Sequence, residues 1–247
     1  MILRRIKAHV EKENWFAVGI DFVIVVMGVF VGIQVANYNE SRAEDRRERA
    51  YLERLDAEFG YVDGRLDRVI AASDTAELAL LRLLQLHDEG PDRLSDDEGK
   101  TPAALMNEVV AGVFPATSPS VFEELVSDGE LSVIDNSDLR SDLYEFDAVS
   151  EVALQAFQLY LNDMRDLRRI LYSTLRADPA NARADGLPSY GDIETLAFTP
   201  DTFFENPAFV QQSMMVLGTI DNNRELAEQQ KRLVSRIETL IAEDLSR

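Results

Sequence analysis

The sequence predicts an all-α protein: an N-terminal transmembrane helix followed by an elongated bundle of three long helices and about two short ones. Three observations carry that reading. Residues 15–38 form an apolar run long enough to cross a bilayer. Apolar side chains then recur at spacings of three and four over three long stretches. Stretches rich in Gly and Pro separate them. The division that follows is a basic tail at 1–14, a transmembrane helix at 15–38 and an acidic helical-bundle domain at 39–247.

Charge is distributed unevenly along the 247 residues, whose formal net charge is −20. Arg4, Arg5, Lys7 and Lys12, set against Glu11, Glu13 and Asp21, leave the first 37 residues at about +1 and the remainder at about −21. So acidic a surface repels nucleic acid and anionic lipid, which bind through Lys and Arg, so no nucleic-acid partner is expected. With 46% hydrophobic and 28% charged residues the chain has the composition of a folded protein. The roughly 207 residues beyond the anchor suffice for one domain with a full-sized core. There is no cysteine, which removes disulfides, thiolate metal ligands and cysteine nucleophiles together.

The anchor reads "WFAVGIDFVIVVMGVFVGIQVANY", with Trp15 and Tyr38 at its ends as interfacial aromatics and no polar side chain from Phe22 to Ile33. As a signal peptide it is too long, and cleavage after Ala36 would put Gln34 where a small residue is wanted, so an uncleaved anchor is expected. Basic residues stand on both sides: the tail before it, and Arg42, Arg46, Arg47, Arg49 and Arg54 after it. Counting them does not fix orientation. Keeping the short basic tail in the cytoplasm of a bacterial inner membrane and exporting the domain to the periplasm is the easier arrangement. Gly28, Gly32 and Ala36 recur at one-turn intervals and make a smooth ridge on which a second helix can pack, from another copy or a different membrane protein. Asp21 shares much of that face, or simply reaches the headgroups.

Beyond the anchor the first stripe is Leu52, Leu55, Phe59, Val62, Leu66, Val69, Ser73, Ala76, Leu80 and Leu83. It begins so close to the span that one continuous helix is expected. The run "ESRAEDRRERAYLER" at its base reads as a solvated face, and Gly60 and Gly64, each weakening the helix by roughly 1 kcal/mol, allow a bend. "HDEGPDRLSDDEGKTP" ends this helix as an exposed loop. Short helices follow at 102–113 and at 119–128, the second closed by Gly129.

The second long helix opens at about Ser137 or Asp138, with the stripe Leu139, Leu143, Phe146, Ser150, Ala153, Phe157, Tyr160, Met164, Leu167, Leu171 and Thr174. "ADPANARADGLPSYG" breaks it, and mixed loop follows for about 30 residues. The third opens at "ENPAF", with Asn206 as cap and Pro207 in the first turn. Its stripe is Phe209, Ser213, Val216, Ile220, Asn223, Ala227, Gln230, Val234, Ile237 and Ile241. Ser73, Ser150, Ser213, Asn223 and Gln230 interrupt these seams. They set helix register, as a buried Asn does in coiled coils, or they line a polar cavity for a small ligand.

Residues 14–40, "NWFAVGIDFVIVVMGVFVGIQVANYNE", resemble the start of a family of bacterial single-pass membrane proteins classed as a domain of unknown function. "ELVSDGELSVIDNSDLRSDLYEF", residues 124–146, resembles that family's second recurring segment, in which a Gly-containing turn leads through apolar residues to "LR" on a new helix. The matching residues here are Gly129, Leu131, Ile134, Leu139 and Arg140. The paired tyrosines that often end the segment are replaced by Tyr144 and Phe146. The resemblance implies a membrane anchor and a helical domain, and no activity. Read physically, Gly129 ends one helix and Asn136 or Ser137 caps the next. Arg140, in a first turn that favours acids, predicts a partner carboxylate, within the domain or outside it.

Catalytic patterns are missing. The two histidines are His9, in the tail, and His87, with Leu84 three residues before it, so no Glu-x-x-His motif exists. No Ser/His/Asp set or phosphate-binding Gly-rich loop can be drawn, and "DRLSDDEG" lacks the ligand spacing of a calcium loop. No catalytic, cofactor or metal residue is therefore assigned, and paired carboxylates among the 45 acidic residues are the one catalytic alternative the sequence permits. The expected function is a non-enzymatic membrane-anchored scaffold or accessory subunit of a membrane complex. The alternative is a membrane-tethered sensor with a ligand pocket in the bundle.

Overall fold

A computed structural model describes residues 15–91, 101–112, 114–177 and 196–246. The basic tail with His9, the acidic stretch "DRLSDDEG" and most of "ADPANARADGLPSYG" lie outside the described residues, as does the side chain of Trp15. The protein is all-α, with a long apolar N-terminal helix followed by a helical region. It divides into two compact units, Met1–Ala50 and Tyr51–Arg247. The first long helix, α1 (Trp15–Glu89), contributes residues to both.

In the first unit α1 presents apolar side chains on every side: Phe22 is 69% exposed and Met27 62%. This stretch has a mean hydropathy of 2.2 with none of it buried, so it is long and apolar enough to cross a membrane. Arg42 stacks its guanidinium on the Tyr38 ring, 4.6 Å from the centroid.

The second unit is built on three long helices: α1 from Tyr51 onward, α4 (Ser137–Ser173) and α6 (Ala208–Leu245). Charged contacts set their directions. Lys231 pairs with Asp63 and Asp67, and Arg224 with Asp74 and Glu77, so α6 runs antiparallel to α1. Arg236 pairs with Asp142 and Glu145, and Gln212 donates to the Asp163 carbonyl, so α6 is antiparallel to α4 as well. The three heptad-like stripes are buried throughout except at Ser73 and Asn223, which are half-buried.

Since α1 and α4 point the same way, the chain between them must travel back, and it does so as a fourth leg. It starts with α2 (Pro102–Val110), capped by Thr101, whose hydroxyl accepts from the Ala104 N–H. Arg168 holds the Val110 carbonyl at one end of α4. Further on, Arg65 donates to the carbonyls of Phe114 and Pro115, Glu58 accepts from Ser120 and the Val121 N–H, and Arg54 pairs with Glu124. Each contact lies earlier on α1 than the last, so the leg descends along the bundle. Helix α3 (Ser120–Ser127) ends in a Schellman turn: Gly129 has φ +71, its N–H bonds the Val126 carbonyl at 3.2 Å, and Glu130 N–H bonds Leu125 at 2.9 Å. A single 3₁₀ turn, Leu131–Val133, leads to Asn136, whose side chain accepts from the N–H groups of Asp138 and Leu139 and caps α4.

Several details differ from the sequence reading. The first short helix stops at Val110 rather than 113, because Ala111 leaves the helical region and Gly112 and Pro115 follow. The segment after α4 contains a two-stranded antiparallel ladder, β1 (Leu175–Ala177) with β2 (Leu196–Phe198), and a third short helix, α5 (Pro200–Phe204). Their purpose is to bury Phe203, whose ring lies 4.8 Å from Phe209 and 5.3 Å from Phe198.

Candidate ligand cleft

The bundle has two apolar cores rather than one. Nearest Tyr51, the first gathers Leu55, Phe59, Leu125, Ile134, Phe146 and Ile237, with Phe59 and Phe146 edge to face at 5.3 Å. The second gathers Leu80, Leu83, Met106, Leu167, Phe203 and Phe209 around the far ends of the helices. Between them the side chains are small. Helix α1 supplies Ala72, Ser73 and Ala76, α4 supplies Ala153, and α6 supplies Ala227. At the same level the fourth leg loses its helix at Ala111, Gly112 and Pro115. Gly and Pro suit irregular backbone there and leave little side chain to fill the gap. The result is a small cleft, partly open to the surface.

Three of the five polar seam residues, Ser73, Asn223 and Gln230, line this cleft together with Phe157 and Tyr160. Ser150 stands behind it. Gln230 is 1% exposed, and its Nε2 donates to the Ala116 carbonyl at 3.3 Å and to Ser150 Oγ at 2.9 Å. Ser150 donates its own hydroxyl hydrogen bond to the Phe146 carbonyl. A backbone carbonyl can only accept, so this pairing fixes which end of the Gln230 amide is nitrogen. Its Oε1 accepts from no described residue. Asn223 donates to the Thr219 carbonyl and Ser73 to the Val69 carbonyl, each on its own helix, so the oxygens of both also remain for the cleft. Burial pushes the Tyr160 hydroxyl above the ordinary tyrosine range, against a smaller opposing effect of Arg168, so it stays protonated. Among the described residues no ionisable group other than Tyr160 lines the cleft.

Ser213 lies elsewhere, fully buried on α6 in the second core with a hydroxyl that has no partner among the described residues. His87, packed against the rings of Phe203 and Phe209 at 5.3 and 5.2 Å, likewise has a buried, unpartnered Nε2. Among the described residues no three His, Asp or Glu side chains come together to hold a metal ion.

Gly28, Gly32, Ala36 and Asp21 are all exposed on α1, and a Cβ added at Gly28 or Gly32 would meet nothing within 4 Å. In the segment 124–146, Leu131, Ile134 and Leu139 are buried in the first core beside the Gly129 turn. Among the described residues no carboxylate pairs with Arg140. Its guanidinium donates instead to the carbonyls of Ile134 and Asp135, which the 3₁₀ turn leaves pointing at the first turn of α4. Sequence reasoning missed Tyr160, Ala111, Gly112 and Pro115 as cleft residues. The only signal was the Gly and Pro between two helices. Comparison with family models, curated proteins and solved structures gives no match.

Proposed function

We propose that the chain is a non-enzymatic single-pass protein of the bacterial inner membrane that serves as a scaffold or accessory subunit of a membrane complex. In this reading the acidic bundle stands in the periplasm, because the short basic tail is easier to retain than to export. Residues Gly28, Gly32 and Ala36 receive a helix from a second copy or from another membrane protein, with Asp21 on much the same face. The observation that carries the reading is the fully exposed apolar surface of α1 between Ile20 and Tyr38. Such a surface needs lipid or protein to cover it. Each glycine costs a helix roughly 1 kcal/mol relative to alanine, and no packing within the described chain calls for one at 28 or 32. Close approach of another helix supplies the reason. The resemblance of residues 14–40 and 124–146 to bacterial single-pass membrane proteins supports the same reading.

The chain has no cysteine, so a single introduced thiol can carry a photoreactive benzophenone. In native membranes Val25→Cys, on the ridge face, is expected to give a protein adduct, while Phe30→Cys, on the opposite face, gives lipid adducts alone. Protein adducts from both, or none from Val25→Cys, would overturn the proposal.

A second reading, a membrane-tethered ligand-binding module, is favoured by one specific observation. The polar seam residues Ser73, Asn223 and Gln230 converge on one cleft instead of scattering along the seams.

A further inference from the structure

Charge is missing from one stretch of the bundle. From Ala208 to Ile220, α6 reads "AFVQQSMMVLGTI", without a single ionisable side chain, while ten follow between Asp221 and Leu245. The outward side of that stretch is apolar. Val210, Met214 and Met215 are exposed, Met214 by 60%, and Gly218 stands exposed one turn beyond Met214.

The helix pairings carry this face onto both neighbours. Arg224 meets Asp74 and Glu77 on the antiparallel α1, so Leu78 and Leu81, one turn beyond those acids, come level with Asp221 and Gly218. Gln212 donates to the Asp163 carbonyl, so Leu159, one turn back on α4, comes level with Met215. Leu78, Leu81 and Leu159 are all exposed. Single exposed apolar residues need no explanation, but a contiguous apolar face shared by three helices marks an interaction surface. Among the described residues it has the make-up of an interface core, with methionines at its centre and charges at its edge.

Resting on the reading of the apolar stretch of α1 as the means of assembly, we infer that this face packs on the same face of a second copy. Charge selects the partner. A basic protein is drawn to the acidic surfaces that give the chain its net charge of −20 and gains nothing from a neutral one. Two copies repel each other everywhere except where neither carries charge. Gly218 adds a geometric reason. Glycine weakens a helix, and a Cβ there would meet nothing within 4 Å, so no packing within the described chain calls for one. Close approach of a facing helix does. Such a two-fold contact is isologous, so residues near its centre meet their own counterparts. The face is far smaller than the roughly 20–30 residues a side of a free-standing interface, so it closes only once paired anchors raise the local concentration.

Because the chain has no cysteine, introduced thiols report this contact in native membranes. Under copper-phenanthroline oxidation, Met214→Cys and Gly218→Cys are each expected to give a disulfide-linked species of twice the chain mass. Tyr61→Cys, exposed one turn before the Arg65 that holds the fourth leg, is expected to stay monomeric. Adding Met214→Lys to Gly218→Cys sets like charges against each other and is expected to abolish the dimer, as is adding Gly32→Ile, which parts the anchors. No dimer from either thiol, equal dimer from Tyr61→Cys, or a dimer indifferent to Met214→Lys overturns the pairing. If Val25→Cys still gives its protein adduct in that case, the anchor reading stands. A dimer that resists Gly32→Ile but not Met214→Lys overturns the anchor reading and leaves the face standing. A benzophenone on Met214→Cys that captures a different protein instead overturns the second copy as the occupant.

Discussion

Single side chains hold the bundle's ends in place. Asn136 is the clearest case, because it acts in two directions at once. Its oxygen takes the N–H groups of Asp138 and Leu139, while its nitrogen donates to Asp244 at 2.8 Å near the end of α6. Asn136→Ala removes the cap and the tie together. It is expected to destabilise the protein by about 1–2 kcal/mol, lowering Tm by roughly 2–6 °C. Thermal unfolding followed by circular dichroism checks this, and an unchanged Tm would mean that the cap is replaced by water at no cost. Asn136 and Gly129 were legible in the sequence, since cap and Schellman chemistry depend on a few adjacent residues. The partner of Arg140 was not. Its acceptors are carbonyls just after the 3₁₀ turn, and carbonyls are present at every position of a sequence. The unpartnered Ser213 hydroxyl and His87 Nε2 were equally invisible, because both depend on what surrounds them.

At the scale of elements, charge pairs align the long helices while apolar stripes bind them. Lys231 bridges Asp63 and Asp67, and Glu238 lies two turns further along the same face of α6, half-buried near Asp63 and Asp56. Burial raises the Glu238 carboxyl above the usual range, and the two aspartates raise it further, while Lys231 partly opposes them. The folded value therefore lies above the unfolded one. Whatever stability the protonated form lends is fully present below the unfolded value and is lost as pH rises through the folded value. At neutral pH the ionised group is a burden, so Glu238→Gln is expected to raise Tm at pH 7 and to leave it unchanged below about pH 4. A loss of stability at pH 7 would show that the carboxylate has a favourable partner. The stripes of all three long helices were legible because a period of 3.6 repeats over many turns, and the start of α4 at Ser137 was legible from its cap. β1, β2 and α5 were not, since elements of three to five residues have no period to read. The cleft was least legible of all. Its walls come from residues between 69 and 76, from 111, 112 and 115, and from within 153–160 and 220–230, and only their meeting makes a space.

For the whole molecule, the most telling contrast is between a bundle whose stripes are covered and an apolar stretch of α1 that nothing in the described chain covers. The proposal that a membrane and a second helix supply that cover makes α1 the means of assembly. The apolar run and its ridge were legible in the sequence because hydrophobicity and small-residue spacing are local. Which protein carries the facing helix is a property of two chains, and one sequence cannot encode it alone. The most direct test is the mass of the complex released intact from native membranes in mild detergent. The account predicts a mass above the 27.8 kDa of one chain, made up of further copies or of fixed amounts of another membrane protein, which falls to that of one chain in Gly32→Ile. A wild-type protein released at 27.8 kDa, or an assembly that survives Gly32→Ile unchanged, would contradict it.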